Sequence, residues 1–457
     1  MKDFIFSNIN TITGYLGNES HIVIPEGVEI IGSKTFYNCK TIVEIVLPHS
    51  LKEIEVSAFN GCSQLRDVVL PPNLTRINRT AFANCASLEK IIIPSNVKFI
   101  GKWAFKNCQN LERIVIQTDN ITFENDVFSG CNSIQDEIIL KDQIIKVPTS
   151  FCGEYIVSNN IKVIADGAFK NCNHLTSIVI PDSVTTIGNQ AFYGCTNLSR
   201  VAPPNHHVDQ IGAIQNRLFG TITLGAGTFQ NCKKLEEIEL GYGITRLPQG
   251  LFEGCDNLSR ICLPFSLLVI GDYAFEGCRT LSQVDVPSFV SEIGQGAFRG
   301  CENLKECNFG WKSSLEKLGA FAFQDCSSLA SISLPYGIKT IDEETFSGCS
   351  SLNSIIIPSS VSTITPNTFK GCSKLEKILS KRNWDICREE WGLPPAILKN
   401  TNNKNTSNSL EDIDDRALVH THGRMSPCPY CGSDDVTTYM DGTANCHHCQ
   451  EWYKYDL

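Results

Sequence analysis

The chain has 457 residues, of which 42% are hydrophobic and 19% charged, and its formal net charge at pH 7 is −10. This composition is typical of a water-soluble protein, and the acidic balance argues against a surface built to bind nucleic acid or anionic membranes. No apolar stretch approaches the roughly 18 residues of a membrane-spanning helix. The N-terminal segment, with Asp3 beside its one early lysine, lacks the pattern of a secretory signal.

Residues 1–30 are predicted to form an N-terminal cap and the first strand. Apolar and polar residues alternate over Ile9–Thr13 and Ile22–Ile24, and Gly14 and Gly17 lie between the two runs. This pattern predicts a small hairpin. A repeat array needs such a cap, because the first coil would otherwise expose its core and its unpaired strand edge.

Residues 31–380 repeat one pattern, which is clearest in the stretch 175–195, LTSIVIPDSVTTIGNQAFYGC. It contains a strand over Leu175–Ile180, a short apolar return around Ile187, and a turn that ends with Phe192 and Cys195. This Phe-x-x-Cys signature recurs fourteen times, mostly at steps of 23 residues, and its cysteines are Cys39, Cys62, Cys85, Cys108, Cys131, Cys172, Cys195, Cys232, Cys255, Cys278, Cys301, Cys326, Cys349 and Cys372.

A repeat of this length with one strand predicts a β-rich solenoid, a curved leucine-rich repeat array of about 14–15 coils, because a single coil cannot bury its own apolar face. Two irregular units interrupt the period, at residues 132–171 and 204–219. In the first, two short strands are expected around Lys141 and Asp142. The second is an insertion, and we interpret its His206 and His207 as loop residues rather than as metal ligands.

Two positions in the turn have a physical interpretation. The residue before each of the fourteen cysteines is Gly, Asn or Asp, the types that best tolerate a positive φ. A left-handed residue is therefore predicted in every coil. The cysteines recur singly at a core-facing position, which indicates small buried residues with unreactive thiols rather than a disulfide framework.

The repeat resembles the BspA-like (Treponema pallidum-type) leucine-rich repeat family through the motif IP-x-x-V-x-x-IG-x-x-AF-x-x-C, as in Ile180–Cys195 and Ile93–Cys108. The resemblance covers roughly residues 12–392. It implies a leucine-rich repeat fold and a function in binding proteins or surfaces, with partners that vary. Because the family often contains one longer unit, residues 132–171 are interpreted as structural.

The outward position of each predicted concave strand is a candidate partner-binding surface. In the N-terminal half this position is apolar, at Val46, Val69, Ile92, Val115, Ile139 and Val179. Further along it is polar, at Glu239, Cys262, Asp285, Asn308 and Ser333. A contiguous apolar stripe predicts an interaction site, although β-branched residues also suit exposed strands without any partner. The preceding outward position mixes charges and does not suit a phosphate backbone, with Glu44, Asp67, Lys90 and Arg113.

After the last coil the pattern changes. Trp384, Cys387 and Trp391 follow at helical spacing and precede Pro394 and Pro395, which predicts a capping helix over residues 381–395. Residues 396–424 are rich in Asn, Thr and Ser with few aromatic residues, which predicts a flexible linker.

Residues 425–457 contain two C-x-x-C pairs, formed by Cys428, Cys431, Cys446 and Cys449. Four thiolates at this spacing predict one structural Zn²⁺ with closed tetrahedral coordination, while His447 and His448 are alternative ligands. Between the pairs, Val436–Met440 and the Asp441–Gly442 turn predict a β-hairpin. The segment resembles a zinc ribbon through CPYCGS and CHHC, but its acidic side chains do not favour nucleic acid.

Taken together, the residues predict a non-enzymatic, cytoplasmic scaffold that binds a protein through its concave face and carries a tethered zinc ribbon. Reduced, metal-binding thiolates suit a reducing compartment. No nucleophile–base pair, phosphate-binding glycine loop or open metal site is evident in the sequence. Two alternatives stay open: a cell-surface or secreted adhesin of the BspA-like type, and a nucleic-acid-associated protein that acts through the ribbon.

Overall fold

The structure, a computed structural model, describes residues 3–202, 222–241, 243–310 and 312–379, together with Leu393 and the backbone of three short strands near the C-terminus. The chain divides into two compact units, Met1–Gly241 with Pro248–Leu258 and Tyr242–Leu247 with Ser259–Leu457. Within the described ranges every regular element is a β-strand. No helix in these ranges is long and apolar enough to cross a membrane.

Each regular coil contributes a long strand of two to six residues and a short strand of two residues. In the first unit the strands are β1 (Phe4–Asn8), β2 (Thr11–Tyr15), β3 (His21–Val23), β4 (Ile30–Ile31), β5 (Glu44–Val46), β6 (Glu53–Ile54), β7 (Asp67–Val68), β8 (Arg76–Ile77), β9 (Lys90–Ile93), β10 (Phe99–Ile100), β11 (Arg113–Ile116), β12 (Thr122–Phe123), β13 (Ile138–Leu140), β14 (Gln143–Lys146), β15 (Cys152–Ile156), β16 (Val163–Ile164), β17 (His174–Val179), β18 (Thr186–Ile187), β19 (Arg200–Ala202), β20 (Thr223–Leu224) and β21 (Glu237–Glu239).

The second unit continues the same alternation. Its strands are β22 (Arg246–Leu247), β23 (Arg260–Cys262), β24 (Val269–Ile270), β25 (Gln283–Val286), β26 (Glu292–Ile293), β27 (Glu306–Phe309), β28 (Lys317–Leu318), β29 (Ser331–Ser333), β30 (Thr340–Ile341), β31 (Ser354–Ile356), β32 (Thr363–Ile364), β33 (Lys377–Leu379), β34 (Val436–Thr438), β35 (Thr443–Cys446) and β36 (Trp452–Lys454).

The predicted solenoid is confirmed, but each regular coil contributes strands to two parallel sheets rather than to one. Within each of several successive sheets, the long strands of neighbouring coils pair in register, as in Val23↔Val46, and the short strands do the same, as in Ile31↔Ile54. The sequence pattern indicates only a return at the second segment. The inward isoleucines, such as Ile31 and Ile54, are fully buried, and the stacking of coils brings the amide groups of the segment to the carbonyls of the preceding coil, as in Glu55 N to Ile31 O at 2.9 Å.

The core contains a ladder of stacked phenylalanine rings. From Phe36 to Phe128 successive rings stack with centroids 5.0–5.6 Å apart, and Phe275–Phe369 continue the pattern in the second unit. The predicted burial of the cysteines is confirmed, because all fourteen except the half-buried Cys39 are buried. The buried thiols also donate hydrogen bonds, as in Cys85 Sγ to Phe59 O at 3.2 Å.

The predicted left-handed residues are present in all fourteen coils, at φ values between 58° and 84°. A second left-handed position, five residues before each ladder cysteine, was not predicted. Its occupants share no chemistry, and they are Lys34, Ser57, Thr80, Trp103, Asp126, Gly167, Gln190, Gly227, Gly250, Tyr273, Gly296, Phe321, Glu344 and Asn367. Backbone hydrogen bonds on both sides hold this geometry, as in Lys34 N to Val56 O and Tyr37 N to Lys34 O, both at 3.1 Å.

The irregular unit at residues 132–171 contains the two short strands predicted around Lys141 and Asp142. Strands β13 and β14 pair antiparallel, and Lys141 has a φ of 53° in the turn between them. Strand β14 then pairs parallel with the short strand β16, and β15 pairs parallel with the long strand β17. One short-strand sheet therefore ends at β12, and another begins at the hairpin.

The N-terminal hairpin lies earlier in the chain than predicted. Strands β1 and β2 pair antiparallel, and β2 pairs parallel with β4, whereas Ile22 belongs to the first long strand. The Phe4 and Tyr15 rings lie 6.5 and 5.3 Å from the ring of Phe36, so they cover the end of the phenylalanine ladder. Ile22–Ile24 could not be distinguished from a cap strand in the sequence, because both alternate with period two.

Much of the C-terminal region lies outside the described residues, including the predicted capping helix apart from Leu393, the predicted linker 396–424, and Cys428, Cys431 and Cys449. In the tail β34 pairs antiparallel with β35, and β35 with β36. The first pairing agrees with the predicted hairpin. Cys446 is the last residue of β35.

Candidate functional site: the N-terminal stripe

Each of the first five coils presents an exposed apolar side chain at the same position, in or directly after its long strand, and we call this row the N-terminal stripe. Its members are 40–75% exposed, and they are Val23, Val46, Val69, Ile92 and Val115. Val23 lies opposite Val46 in the sheet β3–β5–β7, Ile92 lies opposite Val115 in the sheet β9–β11, and Val69 directly follows β7. Inward neighbours such as Ile45 and Ile91 are buried, so the alternation of the strand separates core from surface.

A row of charged side chains runs beside the stripe, two residues earlier in each strand. We call His21, Glu44, Asp67, Lys90 and Arg113 the charge row. His21 Nε2 lies 3.7 Å from a carboxylate oxygen of Glu44. Asp67, Lys90 and Arg113 are exposed, and their side chains form no hydrogen bond or ion pair with any described residue. Their charges are therefore available to a partner.

Two residues predicted to extend the stripe do not belong to it. Ile139 lies in β13, which pairs with β14 in a short-strand sheet, because the irregular unit places its hairpin there. Ile156 of β15 occupies the expected position instead, opposite Val179, and it is 66% exposed. Val179 has the expected register, but its side chain is only 7% exposed, and Ala202 opposite it is 1% exposed. Ile156 pairs with the buried Val179 and not with a member of the stripe, so the stripe comprises the first five coils only.

Val23 was missed by the sequence analysis, which assigned Ile22–Ile24 to a capping hairpin. The signal was present, since Val23 lies 23 residues before Val46. Further along the array the outward position is polar, as predicted. Asp285, Asn308 and Ser333 are exposed there, and Asn308 Nδ2 donates to Asp285 Oδ1 at 2.8 Å.

A second candidate is a cavity of about 180 Å³ at the irregular unit. It is lined by Lys146, whose side chain is buried and whose Nζ donates to Lys170 O at 3.5 Å. Burial lowers the pKa of Lys146. Asp126 and Asp166 also line the cavity, so its walls carry both charge signs and do not form a selective ion site.

The ladder cysteines are unsuited to nucleophilic chemistry. Burial raises the pKa of Cys62 to about 12 and that of Cys85 well above its usual range, so neither forms a thiolate at neutral pH. Burial also raises the pKa of Cys172, but only to about 11, because the Lys146 ammonium opposes the shift. Among the described side chains no group of three or more His, Cys, Asp or Glu could hold a metal ion.

The insertion at 204–219, with His206 and His207, lies outside the described residues. The same holds for the side chain of Cys446 and for the other three predicted zinc ligands.

A comparison with protein-family models identifies one match, described as a BspA type leucine rich repeat region, over residues 7–135, 150–221, 214–311 and 308–390. These ranges cover most of the chain. No curated protein matches the sequence.

Several solved structures are similar to this chain. A leucine-rich repeat protein from Eubacterium ventriosum ATCC 27560 is 17% identical over 84% of this chain and 93% of its own, with a TM-score of 0.52. A leucine-rich repeat protein from Bacteroides ovatus ATCC 8483 is 25% identical over 83% and 98%, with a TM-score of 0.44. A leucine rich cell surface protein from Faecalibacterium prausnitzii A2-165 is 25% identical over 86% and 95%, with a TM-score of 0.41. The first of these similarities supports the fold.

Proposed function

Because the chain belongs to the BspA-type leucine-rich repeat family, we propose that it is a non-enzymatic scaffold that binds a protein partner through the N-terminal stripe. The exposed apolar row carries this proposal. Five adjacent coils present a Val or Ile that is at least 40% exposed, and contiguous apolar patches of this kind mark interaction sites. The charge row beside it supplies polar contacts at the rim, where charges favour the right partner over wrong ones.

An affinity capture experiment tests this function. The full chain is used as bait in cell lysate at low and high salt, and Val69, Ile92 and Val115 are replaced together by Lys. The matched control is Val56→Lys, since Val56 is also exposed (42%) but lies outside the stripe. We expect one protein to be lost with the stripe variant and kept with the control. Equal capture by both variants would exclude the stripe as the binding surface.

The tail is proposed to bind one structural Zn²⁺ through Cys428, Cys431, Cys446 and Cys449. Two C-x-x-C pairs support this ligand set: one precedes β34, and the other begins at Cys446, the last residue of β35, which pairs antiparallel with β34. Metal analysis of the purified chain is expected to give one zinc per chain. A Cys428→Ser/Cys446→Ser variant should lose the metal, whereas Cys262→Ser should retain it.

We further propose a cytoplasmic location, because the buried thiols and the zinc thiolates both suit a reducing compartment. Cell fractionation with protease treatment of intact cells tests it. Degradation of the protein in intact cells would favour the surface adhesin instead.

A further inference from the structure

We infer that the N-terminal stripe is self-complementary and that the occupant of this face is a second copy of the same chain, related to the first by a two-fold axis parallel to the long strands. The inference rests on the proposed function, because it names the partner of the same surface. It is carried by the order of the charges beside the stripe.

The charge row has an antisymmetric centre. After His21, the charge row reads Glu44, Asp67, Lys90 and Arg113 along the stacking direction, so two acidic coils precede two basic coils. Read in the opposite direction, the same row is basic, basic, acidic, acidic, so every charge of a reversed copy is opposite in sign to the charge that it faces. Two copies of the face therefore attract each other when their coils run in opposite directions, and they repel when their coils run in the same direction.

The symmetry operator follows from this order. The axis lies between two apposed faces, runs along the strands, and passes between the coils of Asp67 and Lys90. It places Asp67 opposite Lys90 of the second copy, and Glu44 opposite Arg113 of the second copy. Each contact occurs twice because a two-fold interface is isologous. The interface then contains four opposite-charge contacts.

The same operator superposes the apolar rows. An axis along the strands keeps each residue at its own height on the strand, so stripe lies on stripe and charge row on charge row. Val69 then faces Ile92 of the second copy, and Val46 faces Val115. A two-fold axis along the stacking direction would instead place the charge row of one copy over the residues that lie two positions after the stripe in the other copy. These residues are Pro48, Pro71 and Pro94, all of them buried.

The free chain leaves three of the four charges available for pairing, while Glu44 lies 3.7 Å from His21. Asp67, Lys90 and Arg113 form no hydrogen bond or ion pair with described residues, and Val69 is the most exposed member of the stripe at 75%. Apolar contacts along the stripe supply affinity, while the charge row fixes the direction of association.

Charge reversal gives a sharp test in the full chain. Sedimentation equilibrium under reducing conditions measures the dimer dissociation constant of wild type, Asp67→Lys, Lys90→Asp and the double variant. Each single variant places like charges opposite each other twice, so we expect at least tenfold weaker association. The double variant restores opposite pairs and should recover the wild-type constant. Lys98→Asp is the control, because Lys98 is exposed in the same coil but lies outside the charge row.

Mixing the two single variants provides the decisive measurement. In the mixture Asp67 of one variant faces Lys90 of the other, and the two substituted residues also form an opposite pair. A heterodimer should therefore form although neither variant dimerises well alone. Dimers of both single variants that are as tight as wild type, or a mixture no tighter than its components, would overturn the inference.

The outcome separates this inference from the proposed function. A chain that stays monomeric in solution, while the triple Lys variant of the stripe still loses a captured protein, overturns self-association and leaves the scaffold function standing. Dimers that also survive the triple Lys variant place the interface elsewhere and likewise overturn the inference.

Discussion

Replacing Phe105 tests whether ring stacking stabilises the solenoid beyond simple burial. Phe105 is fully buried, and its ring stacks on Phe82 at 5.5 Å and on Phe128 at 5.6 Å between centroids. Leucine retains much of the buried apolar volume but loses both stacked pairs. Each aromatic pair contributes about 0.5–1.5 kcal/mol beyond its buried area, so Phe105→Leu should lower the free energy of unfolding by about 2 kcal/mol. Phe105→Ala also leaves a cavity and should cost about 4–5 kcal/mol.

Urea unfolding followed by circular dichroism measures these costs, and hydrogen exchange shows where they act. In a solenoid each coil contacts only its neighbours, so exchange should accelerate mainly over residues 80–131. Phe289→Leu is the matched control, since Phe289 is 63% exposed, and it should change stability by less than about 0.5 kcal/mol. If Phe105→Leu were as mild as this control, ring stacking would not be a source of stability.

Three further predictions concern buried and strained groups. Burial lowers the pKa of Lys146, so the unfolded chain binds more protons in the window below 10.5 and wild-type stability rises with pH there relative to Lys146→Met, as urea titrations at several pH values should show; a pH-independent difference would contradict this. Burial raises the pKa of Cys85 above its ordinary 9.0, so the stability that this thiol contributes is lost as the pH rises through the raised value. Peptide mapping after brief thiol labelling should find the exposed Cys152 modified and Cys85 unmodified. Lys34 has a φ of 60°, so Lys34→Gly should stabilise the chain by about 0.5–1 kcal/mol, while Gly296→Ala at the equivalent position should destabilise it. A destabilising Lys34→Gly or a stabilising Gly296→Ala in thermal unfolding would refute the strain argument.

Local backbone requirements could be predicted only where they select a residue type. The position before each ladder cysteine accepts Gly, Asn or Asp, and the left-handed residue could be inferred from that restriction. In some coils the residue at this position depends on the one in the preceding coil, because a Cβ on Gly130 would clash with Asn107 Oδ1. The second left-handed position shows no such selection. Phe321 adopts it because its amide donates a hydrogen bond to Glu343 O of the next coil at 2.9 Å, and this cause is tertiary.

The sequence by itself determined the solenoid, its period, the buried cysteine ladder and most of the exposed stripe, because each depends on a pattern repeated within one coil. Only the tertiary structure decided which strands share a sheet. Ile139 has the stripe's alternation, yet the hairpin of the irregular unit pairs it with the short strands, and Ile156 takes its place. Exposure was likewise decided by packing, since Val179 has the stripe's register but is buried. A strand's alternation fixes the side on which a residue lies, whereas the neighbours that cover that side come from elsewhere in the fold.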